Sequence, residues 1–342
     1  MLLASRPEAF DAEASALVDL IDDALAHGTD GMMIEADGHA VALTSLTKRY
    51  FPQGGPGAQT KGDLLRYYLA VAPVLLPHLA QRPVVLTRYP DGAGAKGFYV
   101  QRAPEHRPGW VTTCTTSIKP PREMTVLRID STATLAWVAN LGAIELHPWY
   151  ARCSAPSKPD FLVIDLDPVE GTRFEKVRTA ALHVKDALDA WSLPAFIKTS
   201  GATGLHLFVP IMRGPSQREV HDVARDIAVA IAARHPRLFT TEYRIANRPR
   251  GAVLLDFNQN AAGHTLAGAY SVRPTPTATV STPLDWSDVQ QGAVPRDFTV
   301  VTVPMRLSQR DDPWRAARLD AARLDLLTWR ERMLGGRARR AG

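Results

Sequence analysis

Two aspartates separated by one residue form the first motif in the sequence that could carry out chemistry. Asp165 and Asp167 close an apolar run that starts at Phe161, and such a run is typical of a buried strand. Because successive side chains of a strand point to opposite faces, both carboxylates lie on one face and can share a divalent cation. The alternative is a pair of carboxylates that caps a loop open to solvent.

A third aspartate, Asp256, ends a second apolar run that starts at Ala252. It would lie beside Asp165 and Asp167 if the two strands are neighbours in one sheet. Three carboxylates with two Mg²⁺ or Mn²⁺ ions are the usual groups for in-line phosphoryl or nucleotidyl transfer. The three aspartates are therefore candidate catalytic residues and candidate metal ligands.

The segment between these aspartates contains a turn with two glycines, Gly201 and Gly204. Glycine allows a sharp turn that exposes backbone N–H groups, and Ser200, Thr203 and His206 add side-chain donors. Such a turn is suited to binding phosphate groups. The pattern also fits an ordinary glycine hairpin whose histidine is hydrogen-bonded in the core, so the turn is informative mainly through its position between the aspartates.

Helical and strand-like segments alternate along the chain, which predicts an α/β or α+β fold. Thr60 is the predicted N-cap of the second helix. Apolar residues at helical spacing predict helices over 13–26, 61–78, 131–140, 174–190, 216–234 and 313–334. Strands are predicted at 32–34, 41–43, 84–87, 97–101, 126–129, 160–168, 195–200, 204–210 and 253–257.

Composition restricts the class of protein. With 45% hydrophobic and 22% charged residues among 342, the sequence is that of a globular protein. The two cysteines, Cys114 and Cys153, are too few for a disulfide framework or a cysteine-rich zinc site, so we expect both to be reduced. The sequence lacks a basic leader and an apolar stretch of membrane-spanning length, which predicts a soluble cytoplasmic protein.

Charge is distributed unevenly along the chain. The net charge is +5 and the sequence pI is about 9.3, yet residues 1–40 contain nine acidic residues and one basic residue. The positive charge is therefore concentrated in the rest of the chain. This excess favours a nucleic-acid or nucleotide partner, although a basic surface without a partner has the same composition.

Five motifs follow one another in a fixed order. They are Ile144-Glu-Leu-His147-Pro, Asp165-Leu-Asp167-Pro, Ser200-Gly-x-x-Gly-Leu-His206, Leu255-Asp256-Phe-x-Gln-Asn, and Ala269-Tyr-Ser-Val-Arg273 with Ser281-Thr-Pro-Leu-Asp-Trp286. This ordered set closely resembles the polymerase domain of bacterial DNA ligase D, which belongs to the archaeo-eukaryotic primase superfamily. The resemblance implies a primase-like catalytic core in which two packed α/β modules surround a central groove.

The resemblance also implies a division of the chain. Residues 39–305 would form a primase-polymerase domain, with a DNA-binding module at 39–150 and a catalytic module at 151–305. Residues 1–38 would be an acidic helical extension. Residues 306–342 would form a basic C-terminal helix and tail. The chain from Pro304 to Gly342 contains ten arginines and five acidic residues.

The same resemblance assigns roles to the motif residues. Asp165, Asp167 and Asp256 would hold two Mn²⁺ or Mg²⁺ ions, and the substrate would be an NTP or dNTP. Thr203 stands where the family usually has a lysine, and the family often has a cation near His264, so weaker phosphate binding is expected. The residues expected to bind the nucleotide are His147, Ser200, Thr203, His206 and Arg273.

Four further residues match the family's DNA contacts. Lys48 and Lys61 would bind a downstream 5′-phosphate, and their alternative role is that of solvated surface lysines. Phe98 and Tyr99 occupy the place where the family stacks a ring on the template base, which agrees with the general use of aromatic rings as stacking platforms. The alternative for these two rings is core packing.

The function implied is a template-dependent nucleotidyltransferase that fills gaps or extends ends in DNA repair, with ribonucleotides preferred. The sequence has no Lys-x-Asp-Gly adenylation motif, so we expect a free-standing, nucleoid-associated monomer without a membrane partner; a separate ligase or a Ku-like protein could accompany it. One alternative is a DNA-end-binding module that has lost turnover, suggested by Thr203. A remote one is a haloacid dehalogenase-type phosphatase, with Asp165 as nucleophile and Asp167 as acid. Against it, the later acidic pair of that family should close a strand, whereas Asp311-Asp312 lies in a polar, arginine-rich tail.

Overall fold

The computed structural model describes residues 12–119, 122–318 and 323–338. These residues form a mixed α/β fold, as the sequence predicts. The α-helices are α1 (Ala12–Ala26), α2 (Lys61–Leu79), α3 (Thr132–Asn140), α4 (Phe174–Ala190), α5 (Gln217–Arg234), α6 (Trp286–Gln290), α7 (Thr302–Leu307) and α8 (Leu326–Ala338). The strands are β1 (Gly31–Ala36), β2 (His39–Thr44), β3 (Val84–Arg88), β4 (Phe98–Val100), β5 (Thr113–Lys119), β6 (Arg122–Leu127), β7 (Ala143–Pro148), β8 (Phe161–Pro168), β9 (Phe196–Thr199), β10 (Leu205–Pro210), β11 (Phe239–Thr240), β12 (Val253–Asp256) and β13 (Pro283–Leu284).

The acidic segment before β1 packs against the rest of the protein. Leu17 and Ile21 of α1 are buried in the hydrophobic core, and Asp22 pairs with Arg66 of α2. β1 and β2 form an antiparallel hairpin, and the predicted domain boundary at residue 38 falls in its turn. The division into domains stays a prediction, and residues 1–11 of the predicted extension lie outside the described residues.

The N-terminal half is built around one antiparallel sheet of five strands. β3 pairs with β4, β6 and β7, and β5 pairs with β6, so β4 lies at an edge. Helix α2 begins with a capping box, because Thr60 Oγ1 accepts from the Asp63 N–H while Asp63 Oδ2 accepts from the Thr60 N–H. The predicted start of this helix and its cap are confirmed.

The C-terminal half contains a six-stranded sheet in the order β11-β12-β8-β10-β9-β13. Its pairs are antiparallel except β11 with β12, and α4 and α5 pack against it. β12 pairs with only the last four residues of β8. Beyond it, the Asn260 side chain bonds to both the N–H and the C=O of Val163, so a carboxamide continues the ladder where β12 ends.

The segment from Gly268 to Arg273 joins the two halves. The Gly268 N–H donates to Leu146 O of β7, and the Leu146 N–H donates to Ser271 Oγ. Tyr68 of α2 adds a buried bond from its hydroxyl to Ile144 O at 2.6 Å. These contacts place β7, with its motif residues, alongside the segment that carries Arg273.

The C-terminal helix begins later than predicted. We expected a helix over 313–334, whereas a short 3-10 turn covers Ala316–Arg318 and α8 begins at Leu326. The prediction is wrong for residues 313–318 and 323–325; at the second of these segments, Leu324 uses its backbone for a strand-like bridge to Ile211. Residues 319–322 lie outside the described residues. Residues 339–342 of the predicted basic tail lie outside the described residues.

The expectation of reduced cysteines is also wrong. The structure joins Cys114 of β5 to Cys153 in a disulfide, with their Cα atoms 6.0 Å apart. The two residues are distant in sequence, and the folding of β5 near the loop after β7 brings them within bonding distance. Among the described helices, none is long and apolar enough to cross a membrane.

Candidate active site

Four polar residues stand side by side across the middle of the C-terminal sheet. The strand register pairs Asp256 of β12 with Asp165 of β8. It also pairs Asp165 with His206 of β10, and His206 with Lys198 of β9. Directly opposite residues in an antiparallel sheet project to the same face, so strand pairing alone brings these groups together. We name Asp256, Asp165, His206 and Lys198 the charged row.

Asp167 adds a third carboxylate to the two in the charged row. It lies two residues after Asp165 on the same strand and shares its face, and carboxylate oxygens of Asp165, Asp167 and Asp256 lie within 4.8 Å of one another. Asp256 is held by the Asn258 N–H at 2.8 Å and by Gln259 Nε2 at 3.0 Å. The predicted proximity of the three aspartates is confirmed, and their role as metal ligands stays a prediction.

The electrostatics of this cluster suit a divalent cation. Asp165 Oδ1 is buried and accepts no hydrogen bond from any residue that the structure describes. Burial raises the pKa of Asp165 well above its usual range, and repulsion from Asp167 and Asp256 adds to the rise. Burial and Asp256 also raise the pKa of Asp167. A hard cation with oxygen ligands would relieve both the repulsion and the missing hydrogen bond.

The glycine turn between β9 and β10 lies against β8 beside the cluster. Gly201 has a φ of +71°, and a Cβ on Gly204 would lie 2.5 Å from Leu166 O, so both positions require glycine. Ser200 Oγ accepts from the N–H groups of Ala202 and Gly204 at 3.1 and 3.0 Å. Both bonds use the oxygen as acceptor, so the Ser200 hydroxyl hydrogen is left to donate to a ligand.

Arg273 lies at the base of this turn. Its Nη1 donates to Ser200 O at 3.0 Å, and its Nε lies 2.9 Å from Glu145 Oε1 at an angle that makes an ion pair rather than a hydrogen bond. Thr203 lies in the turn with an exposed side chain. The turn therefore has one fixed guanidinium at its base and the uncharged hydroxyl of Thr203 at its exposed tip.

His147 comes from the N-terminal sheet and lies close to the same region. Its Nε2 lies 3.0 Å from Thr87 Oγ1, whereas its Nδ1 is buried with no hydrogen-bond partner in the described part of the chain. Burial raises the pKa of the neighbouring Glu145, but His147 and Arg273 outweigh burial and hold that pKa below its usual range. An ionised Glu145 thus faces Arg273, and His147 keeps one ring nitrogen for a ligand.

His206 and Lys198 complete the charged row on its inner side. Lys198 Nζ lies 2.7 Å from His206 Nδ1, and His206 Nε2 lies 3.4 Å from Asp165 Oδ1. Burial lowers the pKa of His206 well below its usual range, and the charges of Lys198 and Arg273 lower it further. The His206 imidazole is therefore neutral and directed at the carboxylate cluster.

Lys48 and Lys61 meet in the N-terminal half. The Lys61 N–H donates to Lys48 O at 2.9 Å, Lys61 Nζ donates to Thr44 O at 2.6 Å, and Lys48 Nζ donates to Asp91 Oδ1 at 2.9 Å. Burial lowers the pKa of Lys61 to about 8, and the charge of Lys48 adds to this shift. Because Lys61 is buried, the alternative of a solvated surface lysine is wrong for it.

Phe98 and Tyr99 lie on β4, at the edge of the N-terminal sheet. Phe98 is 46% exposed and Tyr99 is 67% exposed, so the alternative of core packing is wrong for both. Arg88 Cζ lies 5.4 Å from the Phe98 ring centre, and the Tyr99 ring lies 5.8 Å from the His147 ring. We name Lys48, Lys61, Phe98 and Tyr99 the basic-aromatic surface.

Three residues of the site were not singled out from the sequence. Glu145 pairs with Arg273, Lys198 bonds to His206, and Arg248 lowers the pKa of Asp167 against the effect of burial. Lys198 carried a usable signal, because it is the one charged residue in the strand Phe-Ile-Lys-Thr. Arg248 belongs to an irregular segment whose position depends on tertiary structure.

Several known proteins are similar to this chain. Residues 60–314 match the family model described as LigD, primase-polymerase domain. The multifunctional non-homologous end joining DNA repair protein LigD of Mycobacterium tuberculosis is 31% identical over 309 residues, a match that covers 88% of this chain and 40% of that protein. The bifunctional non-homologous end joining protein LigD of Bacillus subtilis is 32% identical over 273 residues, covering 80% of this chain and 43% of that protein.

A solved structure agrees with these relatives. The polymerase domain from Mycobacterium tuberculosis ligase D in complex with DNA matches with a TM-score of 0.76 and 30% identity, covering 82% of this chain and 98% of that chain. The present chain thus spans less than half the length of the two full-length relatives and nearly all of the polymerase domain. On sequence and fold together, the chain belongs to the LigD primase-polymerase domain family.

Proposed function

We propose that the protein is a template-dependent nucleotidyltransferase, a primase-polymerase that fills short gaps or extends ends during DNA repair. The observation that carries the proposal is the cluster of Asp165, Asp167 and Asp256 next to a glycine turn in which the Ser200 hydroxyl hydrogen is left to donate to a ligand. Membership of the family supports the reaction class. Carboxylates that gather cations beside a phosphate-binding turn are the groups that nucleotidyl transfer requires.

The three aspartates would hold two divalent ions, Mn²⁺ or Mg²⁺. When bound, such ions supply Lewis acidity at the attacking 3′-hydroxyl and at the α-phosphate. The chain contributes preorganisation, because the pairing of β8 with β12 fixes Asp165 beside Asp256 before any ligand binds. Gln259 and Asn258 hold the Asp256 carboxylate in one orientation, so little reorganisation is needed when a cation arrives.

The triphosphate of an NTP or dNTP would bind along the glycine turn. Ser200 offers its hydroxyl hydrogen, His206 offers Nε2–H, and Arg273 offers a guanidinium whose charge offsets that of the phosphates. Glu145 keeps Arg273 directed at the turn. His147, with its unpartnered Nδ1, would contact the nucleoside part. Preference for ribonucleotides is a further part of the proposal and is supported by the resemblance.

DNA would bind across the basic-aromatic surface. Lys48 and Lys61 would bind a downstream 5′-phosphate, and Phe98 and Tyr99 would stack on template bases. The exposure of Phe98 and Tyr99 and the contact between the Tyr99 and His147 rings support the stacking assignment. A separate ligase or a Ku-like protein as partner, a nucleoid location and a monomeric state are also proposed on the resemblance.

The test is primer extension on a short-gapped duplex that carries a downstream 5′-phosphate. Wild type is compared with Asp165→Ala/Asp167→Ala, with Mn²⁺ or Mg²⁺, and with ribo- or deoxyribonucleotides. We expect incorporation by wild type that vanishes in the double variant and is higher with ribonucleotides. Asp189→Ala is the matched control, because Asp189 is an exposed carboxylate at the far end of α4 and pairs with Lys185 of the same helix.

Other outcomes separate the alternatives. Tight DNA binding without incorporation under either metal would identify an end-binding module that has lost turnover, the function suggested by Thr203.

A phosphatase of the haloacid dehalogenase type requires a later acidic pair beside Asp165. Asp312 instead bonds to His78 and Tyr270, both at 2.8 Å, and Asp256 stands in that place, so the structure does not support this alternative.

A further inference from the structure

Lys198 is fully buried on β9 of the C-terminal sheet, between β10 and the edge strand β13. Its Nζ lies 2.7 Å from His206 Nδ1 and 2.5 Å from Ser281 Oγ, and 5.8 Å from the centre of the Phe208 ring. A buried ammonium group is costly unless its hydrogens find acceptors. Burial of this lysine therefore needs an explanation in terms of what it holds in place.

The three hydrogens of the ammonium group have three acceptors. Ser281 Oγ donates its own hydrogen to Thr199 O at 2.8 Å, so it accepts from Lys198. The face of the Phe208 ring attracts a second positive hydrogen. The third lies toward His206 Nδ1. Burial lowers the pKa of Lys198 well below its usual range, the charge of Arg273 lowers it further, and the charge of Asp165 opposes them. In its ammonium form the group has no lone pair with which to accept a hydrogen from Nδ1, and on the other side of the ring an ionised Asp165 carboxylate can only accept, so both neighbours favour the proton on Nε2.

We propose that Lys198 is a positioning residue that holds His206 in the tautomer with its proton on Nε2. Nε2 is the nitrogen that faces the carboxylate cluster, 3.4 Å from Asp165 Oδ1. In this tautomer His206 presents a hydrogen-bond donor to the triphosphate. In the other tautomer it would present a lone pair to phosphate oxygens, which would repel them. The positive charge behind the ring also strengthens Nε2–H as a donor.

This inference rests on the proposed function only for the identity of the ligand. The tautomer of His206 does not depend on that function. Asp165 Oδ1, 3.4 Å from Nε2, favours the same tautomer by itself, so replacing a lysine that merely fills space would leave the tautomer of His206 unchanged. The two roles therefore differ in a property that can be observed without substrate.

The first experiment observes the tautomer directly. Long-range ¹H–¹⁵N correlation spectra of full-length protein with ¹⁵N-labelled histidine distinguish the two forms, and the His206 signals are assigned by their loss in His206→Gln. We expect wild type to show the proton on Nε2 alone and Lys198→Met to lose this single tautomer. A proton on Nδ1 in wild type, or an unchanged tautomer in Lys198→Met, overturns the proposal.

The second experiment asks whether Lys198 acts through His206. On gapped DNA, Lys198→Met is expected to lower kcat/KM for the nucleotide by about 10- to 100-fold, as for other residues that orient a functional histidine. The double variant Lys198→Met/His206→Gln should be no slower than His206→Gln alone. Losses that multiply overturn the proposal, because they show that the two residues act independently.

A milder variant covers the case in which Lys198→Met does not fold. Ser281→Ala removes one acceptor of the ammonium group and leaves Lys198 and His206 in place. A several-fold loss of kcat/KM that disappears in the His206→Gln background supports the proposal, and an equal loss in both backgrounds overturns it. If wild type incorporates no nucleotide, the proposed function fails, and the tautomer spectra still decide the present inference.

Discussion

The charged row and the basic-aromatic surface differ in how far their side chains are buried and in what holds them. In the charged row, Asp165, His206 and Lys198 are buried, and each is held by the register of paired strands. In the basic-aromatic surface, Phe98 and Tyr99 lie exposed on an edge strand and Lys48 pairs with an exposed aspartate on a loop, whereas Lys61 is buried. One region is fixed by the sheet, and the other presents two rings and a partly exposed lysine to a ligand of variable shape.

This difference agrees with the chemistry proposed for each region. Nucleotidyl transfer needs reacting groups at fixed positions, because catalysis depends on preorganised charge. Binding of a DNA end needs tolerance of sequence and of small movements, which stacking and lysine side chains provide. The sheet thus restricts movement where a bond is made, and the edge strand and loops permit it where the DNA is held.

The largest expected effect comes from breaking the charged row. Asp256→Asn keeps the shape of the side chain and removes one of the three negative charges. We expect incorporation to fall by about 10³-fold or more, while binding of gapped DNA, measured by fluorescence anisotropy, stays close to wild type. Mn²⁺ should raise the melting temperature of the variant less than that of wild type, because the variant has one carboxylate fewer for the cation. An equal rise with Mn²⁺ in the two proteins would contradict this account of the cluster.

A smaller effect is expected from pushing the glycine turn away from β8. A Cβ at residue 204 would lie 2.5 Å from Leu166 O and 3.2 Å from Asp167 Oδ1. Gly204→Ala should therefore lose about 1–3 kcal/mol of unfolding free energy and raise the KM for the nucleotide. Gly214→Ala is the matched control, since nothing lies within 4 Å of its Cβ. Equal melting temperatures for the two variants would show that the turn has more room than the structure indicates.

The smallest effect concerns the basic-aromatic surface and its dependence on pH. The pKa of Lys61 is about 8 in the free protein, so its ammonium form is present below that pH and is lost above it. A bound phosphate favours the ammonium form, so the preference for 5′-phosphorylated over 5′-hydroxyl DNA should fall about tenfold between pH 7 and pH 9. Lys61→Arg should abolish this dependence, because arginine stays protonated.

The control for this titration is Lys48→Arg. Lys48 is partly exposed, so replacing it should leave the pH dependence of wild type in place. Affinity ratios for both substrates are measured at constant ionic strength, since salt alone weakens phosphate contacts. A ratio that stays constant for wild type from pH 7 to pH 9 would remove Lys61 from the proposed phosphate site.

Local patterns in the sequence predict the positions of the aspartates but not those of Lys198 or of the paired cysteines. The apolar run before Asp165 predicts β8, and alternation predicts that Asp165 and Asp167 share a face, both of which the structure confirms. Lys198 was not predicted, because its role depends on which strands become neighbours. The same reason applies to Cys114 and Cys153, which are distant in the sequence and meet only through the packing of β5.

The order of strands in the C-terminal sheet has a consequence for folding. β8 forms first along the chain, yet its two partners, β10 and β12, follow only after helices α4 and α5 respectively. Pairings of this kind are non-local, and non-local pairings are slow to form. The carboxylate cluster therefore comes into existence only when the central strands have closed on one another. Binding of Mn²⁺ during refolding would therefore report the pairing of these strands. Partly folded chains would lack the carboxylate cluster and would not bind the ion.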